Sequence, residues 1–185
     1  MIKAVYERKR ALSFMLTRTK ALRPSKLTQN EMCFCYILVC AGIEFMIETI
    51  LRDWTQHNRK KHASTRYRGK KHVETLLDIA SKNTETEIKS NHTIDYDRVF
   101  QLVLAIAGEN NRDELKRLVQ AASPPGTNQV KIAIDRICLM RHKLAHGTEL
   151  PSGVSPNLSE LENDFNLVYS GLIENLDKVL PRRPG

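Results

Sequence analysis

Apolar residues recur every three to four positions along most of the chain and nowhere alternate one by one, so the pattern predicts helices and no strands. Residues 2–22 read as a helix with a strongly basic outer side, ended by Arg23-Pro24-Ser25. Thr28 with Glu31 three residues on is a capping box. It opens a long helix that reaches Trp54 or beyond and is apolar nearly all round, hence central. The segment at about 56–71 has few apolar anchors, 73–80 resumes a short helical pattern, and 82–93 is a polar connection. Helices are expected over 95–107 and 111–121, followed by a break at Pro124-Pro125-Gly126. Thr127 or Asn128 then caps a helix running to His146-Gly147, where the glycine suits a left-handed cap. A loop over 148–156 leads to a final amphipathic helix, 158–180, and a tail, 181–185. With no repeat and no linker between two cores, 1–185 reads as one all-α domain, an up-and-down bundle of four main helices with extra short ones.

At 185 residues and 41% hydrophobic, the chain can bury a real core. Its net charge of +8 favours polyanions, and the distribution sharpens that expectation. Residues 1–30 carry eight Lys or Arg against Glu7 alone, and 54–73 carry seven with no acid, whereas 144–177 carry six acids and no Lys or Arg. One part of the surface should therefore attract phosphate and another repel it. Cys33, Cys35, Cys40 and Cys138 lie in apolar surroundings without a C-x-x-C pair. They read as buried thiols of a reducing cytoplasm rather than disulfides or zinc ligands. The uncharged run 32–43 spans twelve residues before Glu44 and Glu48, too short for a membrane span, and no secretory signal precedes it. The expected setting is cytoplasmic, with no membrane partner.

Candidate chemistry concentrates in Arg141-His142-Lys143-Leu144-Ala145-His146-Gly147. An arginine holds phosphate and a histidine moves protons near neutral pH, a minimal kit for cutting RNA without a metal. Arg141 falls within the apolar stripe Val130, Ile134, Ile137, Cys138, Leu144 and Ala145, so its charge needs a partner. Glu44 falls within the stripe Ile37, Cys40, Ala41, Ile47 and Leu51, and the two are expected to face each other, with Glu48 in reserve. The pair either fixes helix register or orients Arg141 toward phosphate. On a continuous helix Arg141 and His146 lie about 140° apart, so they meet on one phosphate only if the last turn unwinds or two copies join across a two-fold axis. His142 and His146 share a face at i, i+4, yet H-K-L-A-H lacks the glutamate of a zinc motif, and neither metal nor cofactor is expected. Each histidine also has a plainer reading, His146 as a helix-end cap and His142 as a polar neighbour. Arg59, Lys60, Lys61, Arg66, Arg68, Lys70 and Lys71, interleaved with Tyr67, suit RNA backbone contacts with one stacking surface, or else a solvated loop.

The run RHKLAHG resembles the R-x4-6-H signature of the HEPN superfamily, in which a polar residue follows the arginine. The stretch Ala41-Gly42-Ile43-Glu44-Phe45-Met46-Ile47-Glu48 resembles the glutamate-bearing long helix of its RiboL-PSP type. The resemblance implies a metal-independent endoribonuclease, dimeric at its site, in toxin–antitoxin, phage-defence or RNA-processing settings. Its partners would be RNA, a second copy, and an antitoxin or other regulatory protein. It further implies Arg141 and His146 as catalytic, His142 as their support and Glu44 behind them. Some HEPN toxins carry a tyrosine two residues after the histidine, where this chain has Thr148, so silencing by modification there is not expected. The alternatives are a non-catalytic HEPN-like bundle that binds RNA or protein, and the neutralising partner of another toxin.

Overall fold

The buried apolar positions sort onto helix faces that meet in one continuous core, seen in a computed structural model that describes residues 2–22, 29–64, 96–145 and 157–180. Among the described residues every regular element is helical, so the fold is all-α. Helix α1, Lys3–Ala21, buries Val5, Leu12 and Leu16, an i, i+7, i+11 stripe, on α2, Gln29–Ser64. The two run antiparallel: Arg8 lies 4.6 Å over the Phe45 ring, and Leu12 sits at Gly42, where a β-carbon would come within 2.4 Å of its Cδ1. Thr28, the expected cap of α2, lies outside the described residues.

Helix α2 is 36 residues long, about 54 Å at 1.5 Å per residue. It supplies the centre of the core through Tyr36, Val39, Ile43, Met46, Ile47, Ile50 and Leu51. It is not covered all round, because Phe34 is 58% and Phe45 39% exposed. The charge-free run understated its apolar extent. Glu31–Asn58 is long and apolar enough by length and composition to cross a membrane, although 56% of its most apolar window is buried against the other helices. The helix also continues through the first part of the basic segment, to Ser64. The expected short helix at 73–80 lies outside the described residues.

Helices α3, Tyr96–Ala107, and α4, Glu109–Ala121, form a hairpin at Gly108, whose φ of 87° is the left-handed conformation that a tight reversal requires. Helix α5, Gln129–Ala145, begins after a turn in which Gly126 has φ 79°. Asn128, not Thr127, caps it. The Asn128 carboxamide accepts the Lys131 N–H at 2.9 Å, whereas the Thr127 hydroxyl donates back to the Pro124 carbonyl at 2.9 Å.

The last helix is interrupted. Helix α6, Leu158–Val168, passes through a π-helical turn, Tyr169–Ile173, into α7, Glu174–Val179. Asn157 caps α6 by accepting the N–H groups of Ser159 and Glu160. Gly171, inside the π turn, is where this rod meets the start of α5. A β-carbon there would lie 2.5 Å from Val130 Cγ2. Gly171→Ala should therefore cost about 1–3 kcal/mol, because a helical valine has one favoured χ1 and cannot turn aside. Gly42→Ala should cost less, since the Leu12 terminal methyl can move and alanine regains up to about 1 kcal/mol of helix propensity. Urea melts of the two variants check this order; equal losses would mean that Val130 yields as easily as Leu12.

Candidate functional site

Helix α5 carries the arginine of the motif. Its inner stripe, Val130, Ile134 and Ile137, is fully buried, and Arg141 continues that stripe to a half-buried position near the helix end. On α2, Tyr36, Cys40 and Glu44 follow one another at i, i+4, i+8 and so share a face. Cys40 is the meeting point. It is buried, its thiol donates to Glu44 Oε1 at 4.0 Å, it is hydrogen-bonded to Cys138 of α5, and it lies within the field of Arg141. Glu44 and Arg141 thus belong to one patch of the α2–α5 interface, with the two thiols among them.

The chemistry of that patch follows from these neighbours. The Cys40 thiol is pushed well above its ordinary range, first by its hydrogen bond with Cys138, then by burial and by the negative charge of Glu44, with Arg141 pulling the other way. Burial is also the main cause that raises Cys33 and Cys35. Thiols held protonated are poor nucleophiles, so these three cysteines act as small packing groups. No group of three or more His, Cys, Asp or Glu side chains that could hold a metal occurs among the described residues.

Other expected site residues fall differently. His142 is exposed on α5, and Ala41, placed on the buried stripe of α2 from the sequence, is exposed instead. Helical spacing places Ala41 beside Phe34 and Phe45, on the side of α2 that the bundle leaves partly open. His146 and Thr148 lie outside the described residues, as do Arg66, Tyr67, Arg68, Lys70 and Lys71. Arg59, Lys60 and Lys61 belong to the last turns of α2.

Two features beside the motif were not anticipated. The Tyr36 hydroxyl donates to the Asn157 carbonyl and accepts its N–H, both at 3.2 Å, tying the start of α6 to α2. Arg136, five residues before Arg141, pairs with Glu160 and, at 3.4 Å through Nε, with Asp164, which is only 7% exposed. Burial raises the Asp164 carboxyl above its usual range, while Arg136 opposes the shift. A sequence signal existed: Asp164 falls within the stripe Leu158, Leu161, Phe165, Val168, as Arg141 does within its own. Both flanks of segment 146–156 are therefore anchored on one stretch of α2, by Tyr36 on one side and by the Cys40–Cys138 contact on the other.

The acidic C-terminal region is partly neutralised within the bundle, since Glu162 also pairs with Lys20 of α1 at 2.5 Å. A separate cavity of about 710 Å3 opens between α3, α4 and the start of α5, lined among others by Phe100, Arg112, Lys116 and Lys131. Arg141 is not part of it. The chain matches no family model, no curated protein and no solved structure.

Proposed function

We propose that this chain is a metal-independent endoribonuclease of the HEPN type, working as a homodimer in a toxin–antitoxin or phage-defence setting. The observation that carries the reading is the half-buried Arg141, kept at the end of α5 in a patch that includes Glu44. Both charges act on Cys40, and in this reading the carboxylate would orient the guanidinium so that N–H groups turn to phosphate oxygens when RNA binds. Arg141 would stabilise the charge that builds on the pentacoordinate phosphorus, and Glu44 would position it. His146 would serve proton transfer, taking the proton from the ribose 2′-hydroxyl as that oxygen bonds to phosphorus or giving one to the departing 5′-oxygen. His142 would support the site from the exposed side of α5. Two copies meeting at their motif ends would supply an imidazole for each transfer.

Attack by the 2′-hydroxyl leaves a 2′,3′-cyclic phosphate and a free 5′-hydroxyl. Purified protein should therefore cut RNA in EDTA with these end groups, and a strand carrying 2′-deoxyribose at the scissile nucleotide should resist. Cleavage of the deoxy strand, or an absolute need for a divalent metal, would overturn the reading.

The runner-up is a non-catalytic HEPN-like module that binds a protein or RNA. It draws on Ile132 and Leu139, which are 53% and 44% exposed and lie seven residues apart on the outer side of α5, as an anchor for another helix would.

A further inference from the structure

Helix α1 divides its cations by face. Those flanking its buried stripe are used to hold it to the bundle: Arg8 over the Phe45 ring, Lys9 5.1 Å over the Tyr169 ring, and Lys20 on Glu162. The outer face carries Tyr6, Arg10, Phe14 and Arg18 at successive i, i+4 positions, all exposed. Two aromatic side chains here are more in water than out of it, Tyr6 at 55% and Phe14 at 62%. Arg18 stacks 5.1 Å from the Phe14 ring centroid, and Arg10, between the rings, meets no partner among the described residues. Glu7, the single acid of the helix, is taken up by Lys3 at 3.7 Å.

We propose that this outer face of α1 is a docking surface for single-stranded RNA, with Tyr6 and Phe14 stacking on unpaired bases and Arg10 and Arg18 holding the phosphates between them. The proposal rests on the reading of the chain as an RNA-cutting protein and names where the strand is gripped in addition to the proposed catalytic residues. The rings stand about 12 Å apart along the helix, far enough to serve separate bases of an extended strand. Aromatic platforms joined by cations are what sequence-tolerant single-strand binding needs, whereas a duplex keeps its bases stacked inside and offers these rings nothing. An anionic membrane fits less well. A helix lying on lipid presents a continuous apolar face outward, and the apolar face of α1, Val5, Leu12 and Leu16, is turned into the core.

The test uses the full chain and a labelled, fully 2′-O-methylated RNA strand, which binds without being cut, followed by fluorescence anisotropy. Tyr6→Ser with Phe14→Ser should weaken binding at least tenfold, and Arg10→Gln should reduce the slope of log affinity against log salt by about one. The same variants should cut a dinucleotide at the parent rate, since Tyr6, Arg10 and Phe14 are exposed and none is among the proposed catalytic residues, and should keep the parent's thermal midpoint. Unchanged RNA affinity in the variants overturns the docking surface even where the parent cuts RNA. Loss of binding to phosphatidylserine vesicles without loss of RNA affinity overturns it as well. Weakened RNA binding in a protein that never cuts RNA would uphold the surface and remove the nuclease reading.

Discussion

His146→Ala should lower RNA cleavage by about two to four orders of magnitude, the span of a lost general acid or base. Arg141→Ala should cost about two to three orders, as removal of a charge-stabilising donor does, and the double variant little more than the larger single one, because the two act on one transition state. Single-turnover rates on one RNA in EDTA measure all three. His146 is expected to affect the chemical step alone, leaving RNA affinity near the parent value. Arg141 also belongs to the stripe that α5 buries, so its variants need a structural readout alongside. A folded, dimeric and inactive Arg141→Ala protein agrees with the catalytic assignment. Parent-level cleavage by His146→Ala removes that residue from the mechanism, and global unfolding of Arg141→Ala with no nuclease in the parent returns Arg141 and Glu44 to a purely structural pair.

Arg136→Met should destabilise the fold by about 1–3 kcal/mol at neutral pH, less than a fully buried pair would cost because the Arg136 side chain is 34% exposed. The loss arises because Asp164, almost wholly buried, keeps its charge without its cation. The pH dependence has a definite sign. Burial holds the folded carboxyl above its unfolded range, so ionised Asp164 disfavours the fold, and that penalty is relieved as pH falls through the folded pKa. Arg136 pulls this pKa down, so its removal raises it further. The variant's deficit should then be full above its own Asp164 pKa and shrink as pH drops through it toward the parent's folded value. Urea melts at neutral and mildly acidic pH measure the difference. A deficit that stays constant across this range would mean that Arg136 stabilises through packing or Glu160 instead.

Much of the architecture was readable from helical spacing and breaking residues. The bounds expected for α1, α3 and α4, and the start expected for α5, fall within about two residues of those observed, since capping groups, glycine and proline act locally. Spacing also marked Arg141 and Glu44 as charges inside apolar stripes, and the structure brings both to the surroundings of Cys40. The π turn at Tyr169–Ile173 left no such mark: Leu158 to Leu180 is amphipathic throughout, and the widening lies where Gly171 meets Val130. The partners of Arg136, Asp164 and Tyr36 were equally hidden, because each contact joins residues distant in the chain.

The sequence by itself determined that this protein is helical and where most of its described helices start and stop, because those properties depend on neighbours within a turn or two. Only the tertiary structure decided which stripe meets which, that the α2 face holding Cys40 receives Cys138, and that one side of α1 stays open while Lys20 and Glu162 close the other. Periodicity fixes a residue's angle about its own helix axis, but the rotation of one helix against another is set by the shapes and charges of side chains that only packing brings together.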